Sequence, residues 1–119
     1  MWKQTLLALV LAGSSLPASA QGVPVSVLVN GNEMRDWCTR SDADARLSTC
    51  LGFIMGVLDT ITTMQATNQA ARQVCVPKGV TPGQAKDVYL AFLNQNPQER
   101  HLAASSTFWV AMREAWPCR

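Results

Sequence analysis

The sequence predicts an all-α protein: a small, disulfide-stapled bundle of four main helices with an extended N-terminal arm. Apolar residues recur at intervals of three and four through most of the chain after residue 31, as they do on one face of a helix. Helix-start signals precede two of these segments, and four cysteines stand among them. The 119 residues, 48% hydrophobic and 15% charged, suffice for one domain but not for a conventional two-domain enzyme.

Residues 1–20 have the organisation of a secretory signal peptide. Lys3 supplies a positive charge, residues 6–12 a short apolar core, and Ala18-Ser19-Ala20 a small-residue cleavage site. We expect cleavage after Ala20; a buried first helix is the alternative. Loss of Lys3 leaves nine of the ten basic residues against eight acidic ones, which favours neither nucleic acid nor an anionic membrane as a partner. No apolar run reaches the roughly 18–20 residues that a membrane-spanning helix needs.

An arm and two helices are predicted next. Valines alternate with other residues over 21–30, but Pro24 interrupts them, and a single strand cannot form a sheet, so we expect an extended arm rather than an edge strand. Residues 31–39 predict a short first helix. Ser41 is the expected N-cap of a long second helix that runs towards Val74 and frays over residues 66–69. One stripe of that helix carries the apolar residues Leu47, Cys50, Leu51, Ile54, Leu58 and Ile61.

Two similar start signals predict the third and fourth helices. In Thr81-Pro82-Gly83-Gln84 the threonine caps the helix, the proline takes the first helical position and the glutamine completes a capping box. The apolar face that follows consists of Ala85, Val88, Tyr89, Phe92 and Leu93. Residues 96–99 repeat the signal for a fourth helix, which ends at Pro117. Its buried side is predicted to consist of Leu102, Phe108, Trp109, Met112 and Trp116, with the tryptophans in the core rather than in a ligand cage.

The four cysteines predict two disulfides, because an exported chain folds in an oxidising compartment. A zinc site is the competing interpretation, but no C-x-x-C or H-x-x-x-H spacing supports it. In an up-down bundle, Cys38 and Cys50 share one pole, and Cys75 and Cys118 share the other. Pairing Cys50 with Cys75 would join two ends of one helix, about 35 Å apart, whereas a disulfide tolerates a Cα separation of about 4.4–6.8 Å. The third connectivity joins opposite poles twice, so we expect Cys38–Cys50 and Cys75–Cys118.

The residues needed for catalysis are sparse. His101 is the single histidine and is read as a surface residue, and an even cysteine count leaves no free thiol to pair with it. The carboxylates are scattered, and no glycine-rich phosphate loop is present. The sequence therefore predicts no enzyme activity, no cofactor and no metal.

Two features are candidate interaction sites. Gly52, Gly56 and Asp59 lie within about 60° of one another on the second helix, opposite its leucine stripe. Because glycine inside a helix costs about 1 kcal/mol relative to alanine, this face predicts close approach by another segment of the chain, with a subunit or partner interface as the alternative. The segments 76–82 and 93–97 are expected to project as loops. The candidate loop for insertion into a partner's cleft consists of Val76, Pro77, Lys78, Gly79 and Val80.

These motifs resemble the Rap/Tai family of type VI secretion amidase immunity proteins. The resemblance covers residues 31–119 and rests on four segments in the family's order: Gly31-Asn32-x-Met34 before Cys38; Cys50-x-Gly52-Phe53-Ile54-x-Gly56-x-x-Asp59; Cys75-x-Pro77-x-Gly79-Val80 before Gln84; and Asn96-Pro97-x-x-Arg100-His101 with Ala103-Ala104, ending in Trp116-Pro117-Cys118. Phe53 stands where the family usually has tyrosine, and Trp116 where phenylalanine is common. Both departures keep an aromatic ring.

The resemblance implies a periplasmic, disulfide-bonded helical immunity domain over residues 31–119. Such a protein binds and inhibits a peptidoglycan amidase and so protects the producing cell. Characterised members form homodimers and occlude the amidase cleft with a protruding surface, so the expected partners are an effector and a second copy, without nucleic acid or membrane. The alternative is a periplasmic helical binding module, similar to acid-stress chaperones, that has no amidase partner.

Overall fold

A computed structural model of the protein describes residues 27–119. The predicted signal peptide and residues 21–26 of the predicted arm lie outside the described residues. Within the described part, the helices are α1 (Gly31–Cys38), α2 (Ala45–Thr67), α3 (Pro82–Gln95) and α4 (Ala104–Ala115), with 3₁₀ turns at Gln69–Ala71 and Pro97–Glu99. No strand occurs between residues 27 and 119, although isolated bridges join Asn30 to Ala103 and Val74 to Pro117. The predicted all-α fold is confirmed.

Local capping determines where α1 and α3 begin. Asn30 accepts a hydrogen bond from the Glu33 backbone N–H, while the Asn30 N–H donates to the Glu33 carboxylate. Thr81 and Gln84 form the same reciprocal pair at α3, as the sequence predicts. Each pair satisfies backbone groups that the first turn of a helix leaves without partners.

The ends of α2 differ from the sequence-based expectation. Its N-cap is Asp44 and not the predicted Ser41, because the Asp44 carboxylate accepts a hydrogen bond from the Arg46 N–H at 2.8 Å. The Ser41 carbonyl instead accepts from the Asp44 N–H at 2.9 Å and closes a turn before the helix. The helix ends at Thr67 and does not continue towards Val74. The Gln65 side chain accepts from the N–H groups of residues 73 and 74 and donates to the Val74 carbonyl, which holds the returning chain against the helix.

The start of α4 is also later than predicted. Residues 97–99 form a 3₁₀ turn, and the α-helix begins at Ala104 without a side-chain cap. The Ala104 N–H donates to the Val29 carbonyl at 2.9 Å, and the N–H groups of Gly31 and Asn32 donate to the carbonyls of residues 102 and 100. These contacts hold residues 100–102, which form a turn and a bend, against the start of α1. Leu102 is 42% exposed as a result, so its predicted burial is wrong.

The core lies between the four helices, with α2 packed mainly on α1 and α3, and α4 mainly on α3. Tyr89 and Phe108 meet edge to face with ring centroids 5.1 Å apart, and the Tyr89 hydroxyl bonds to the Thr107 hydroxyl at 2.7 Å. Burial raises the pKa of Tyr89 to about 12. Trp109 and Trp116 are half-buried and pack on this core, in agreement with their predicted structural role.

Both predicted disulfides are present. Cys38 is bonded to Cys50 with a Cα separation of 5.3 Å, and Cys75 to Cys118 with 4.9 Å. The first bond joins α1 to the beginning of α2. The second joins the segment before α3 to the end of the chain, beside the hydrogen bond from the Cys75 N–H to the Trp116 carbonyl at 2.8 Å.

Candidate interaction surfaces

The outer face of α2 is open to solvent. Gly52, Gly56 and Asp59 are all exposed, and a Cβ atom built on either glycine would meet nothing within 4 Å. No segment within residues 27–119 packs closely here, so the expected close approach by another helix is wrong, while residues 21–26 of the predicted arm lie outside the described residues. The reason is that α1 and α3 cover the opposite side of the helix, through Leu47, Cys50, Ile54 and Ile61. The Asp59 carboxylate forms no hydrogen bond or ion pair with any other described residue.

The length and composition of α2 would allow it to cross a membrane, and it is the one such helix within residues 27–119. This differs from the expectation that no segment is apolar enough, because that expectation considered only uninterrupted apolar runs. Within the bundle, the same helix contributes four buried residues to the core and is bonded through Cys50 to α1.

An apolar groove runs between α2 and α4. It has a volume of about 630 Å³ and is lined by Val57, Ile61, Met64, Ser105, Ser106, Trp109 and Val110. Met64 is 57% exposed, and the guanidinium of Arg113 lies over the Trp109 ring, 4.7 Å from its centroid. Sequence reasoning missed this surface. The available signal was that the apolar residues of α2 occupy more than one stripe of the helix.

Residues 76–80 form a short, tightly held loop. The Val80 N–H donates to the Pro77 carbonyl at 3.3 Å, and Gly79 has φ +88°, which residues other than glycine rarely adopt. Pro77, Lys78 and Gly79 are exposed, whereas Val76 and Val80 are half-buried. The Cys75–Cys118 disulfide holds the base of this loop. The second predicted loop does not project in this way, since residues 93–95 belong to α3 and Leu93 is fully buried.

A cleft of about 360 Å³ adjoins the loop, between the second half of α2 and residues 69–76. Thr62, Gln69 and Arg72 contribute polar side chains to it, while Leu58, Val74 and Val76 contribute apolar ones. Arg72 is exposed and forms no ion pair with another described residue.

At the turn between α1 and α2, unlike at Arg72, the cations are paired with carboxylates. The Asp36 carboxylate pairs with Arg40 and lies 3.4 Å from an Arg46 nitrogen, and Arg46 also lies 3.9 Å from Asp44. The hydrogen bond from Arg40 lowers the pKa of the Asp36 carboxyl. Cations at this pole of the bundle are thus largely neutralised by neighbours in the same chain.

The groups that could support chemistry are not brought together. His101 is exposed, and all four cysteines are in disulfides. No cluster of three or more His, Cys, Asp or Glu residues that could hold a metal occurs in the described part of the chain. The arrangement instead offers surfaces for another protein: the outer face of α2, the apolar groove and the rigid loop.

In the comparison with protein families, a model of Rap1a immunity proteins matches residues 30–118. Comparison with curated proteins and with solved structures gives no match. The matched region includes all four helices and both disulfides.

Proposed function

The chain belongs to the Rap1a immunity protein family, and from this we propose that it is a periplasmic immunity protein that binds and inhibits a peptidoglycan amidase of a type VI secretion system. The family match over residues 30–118 is the observation that carries the proposal. The two disulfides fit an exported protein, because such bonds persist in oxidising compartments.

The loop at residues 76–80 is proposed to enter the amidase cleft. Its exposed tip is Pro77-Lys78-Gly79, and the Val80–Pro77 hydrogen bond and the disulfide at Cys75 fix its shape before any partner arrives. A segment that is already ordered loses less conformational entropy on binding than a flexible one does. A rigid projection of this kind suits an inhibitor that occupies a substrate site without being cleaved.

The outer face of α2 is proposed as the contact between two copies of the chain. Gly52 and Gly56 leave space there for the backbone of a second helix. Gly56→Leu should then abolish the dimer at micromolar concentration in analytical ultracentrifugation. Ala91→Leu, which adds the same side chain at an exposed position of α3, is the matched control and should leave the dimer intact. Equal sedimentation of the two variants would exclude this face as the dimer contact.

Protection in living cells tests the immunity function itself. The amidase effector of the same strain is produced in the periplasm of a sensitive host, alone or together with this chain. We expect lysis in the first case and survival in the second, and survival should be lost when residues 1–20 are deleted. Purified residues 21–119 should abolish peptidoglycan cleavage at one-to-one stoichiometry. Unchanged cleavage at excess inhibitor would refute the proposal.

A chaperone-like periplasmic module is the second candidate, and the exposed apolar groove is the observation that favours it. Acid opening requires groups whose protonation the native state resists. Among the described residues Asp36 is such a group, because the hydrogen bond from Arg40 lowers its pKa, but its side chain is exposed and lies outside the core. Suppression of client aggregation at pH 3, together with no effect on any amidase, would favour this second function.

A further inference from the structure

We propose that the surface around the Cys75–Cys118 disulfide docks against an acidic surface of the effector. This surface, called the loop pole here, consists of residues 72–80 and 113–119. The inference rests on the proposed function and adds to it the chemistry of the partner's surface. It follows from where the chain leaves its positive charges without partners.

The loop pole carries a surplus of positive side chains. No Asp or Glu occurs between Asp59 and Asp87, whereas Arg72 and Lys78 lie in that interval. Arg113 joins them from α4, since its guanidinium lies 3.5 Å from the Gln73 side-chain oxygen. Glu114 is the one acidic side chain within residues 72–80 and 113–119, and Arg119 adds a further positive side chain to the same surface.

These cations are available to a partner. Arg72 and Lys78 are exposed and make no ion pair with other described residues. At the opposite pole, by contrast, Asp36 is paired with Arg40 and Arg46. The carboxylates of Asp36 and Asp44 therefore weaken the positive field at that pole, whereas no described carboxylate lies within ion-pair distance of Arg72 or Lys78.

The positions of the two free cations suit recognition of carboxylates. Arg72 lines the cleft together with Val76, at the base of the loop, and Lys78 is at the loop's exposed tip. Arginine binds a carboxylate through two parallel hydrogen bonds, and lysine acts as a point charge. An acidic rim around the effector's cleft would meet both as the loop enters. Opposite potentials of this kind mainly accelerate association.

A paired charge-reversal experiment tests the proposal. Arg72→Glu/Lys78→Glu changes the net charge by the same amount as the control Arg35→Glu/Arg46→Glu, which reverses two exposed cations outside the loop pole. Association with the amidase identified by the protection assay is measured by stopped flow at about 20 mM and 500 mM salt. Circular dichroism establishes that both variants are folded.

The loop-pole variant should associate at least about tenfold more slowly than wild type at low salt, and the control less than about threefold more slowly. High salt should remove most of the difference, because the Debye length falls below about 8 Å. Equal rates for the two variants would overturn the proposal. The proposal would also be overturned if the loop-pole variant kept the wild-type rate of association with the amidase and lost only its binding to vesicles of anionic lipid. Failure of wild type to bind the amidase would overturn the proposed function as well.

Discussion

Replacing Gly56 by alanine should stabilise the monomer, although Gly56 belongs to one of the motifs on which the family resemblance rests. A Cβ at this position meets nothing within 4 Å, so no clash offsets the gain in helix propensity. That gain is about 1 kcal/mol for an interior helix position. For a domain of roughly 100 residues it corresponds to an increase in Tm of about 4–8 °C. Gly52→Ala should behave in the same way, and the double variant should gain about 2 kcal/mol.

Gly31→Ala is the contrasting substitution. Its Cβ would lie 3.0 Å from both the Arg100 carbonyl oxygen and a Leu93 methyl group. The carbonyl cannot withdraw easily, because it accepts a hydrogen bond from the Asn32 N–H at 3.0 Å. We expect a loss of about 1–3 kcal/mol.

Urea denaturation followed by circular dichroism measures both effects at several protein concentrations. The concentration series separates folding of the monomer from loss of a dimer, since dimer stability depends on concentration. Destabilisation of the monomer by Gly56→Ala would show that another segment of the chain does cover α2, and would refute the reasoning. Equal behaviour of the alanine variants at residues 31 and 56 would refute it as well.

Three further outcomes follow from the fold. Replacing Cys75 and Cys118 by alanine should remove about 4 kcal/mol of stability, the chain-entropy value for a loop of this length, as measured by chemical denaturation against the oxidised wild type. Burial raises the pKa of Tyr89 from 10.0 to about 12. The folded state therefore favours the neutral phenol, and this contribution to the free energy of unfolding is complete below pH 10 and is lost as the pH rises to 12. Wild type should lose roughly 3 kcal/mol over that interval, whereas Tyr89→Phe should not, and parallel pH profiles would exclude this role. Thr81→Ala should cost about 1 kcal/mol through loss of the α3 cap, and an unchanged Tm would show that the cap is dispensable.

Several features could be predicted because their causes are local or topological. The start of α3 depends on Thr81 and Gln84, which are three residues apart and bond to each other. The disulfide pairing follows from helix length and the alternation of poles in a bundle, and it did not require side-chain positions. The family resemblance is likewise a matter of motif order and spacing, and the match over residues 30–118 confirms it.

Other features were settled only by contacts between segments distant in the chain. Ala104 begins α4 because its N–H reaches the carbonyl of Val29, and no signal near residues 96–99 contains that information. The same holds for the outer face of α2. Its periodicity shows which residues can share a side, but whether Gly52 and Gly56 meet a neighbour depends on where the other helices pack. Sequence thus determined the helices and their covalent links, while tertiary packing decided which surfaces remain exposed for a partner, because burial is a property of the whole assembly of helices.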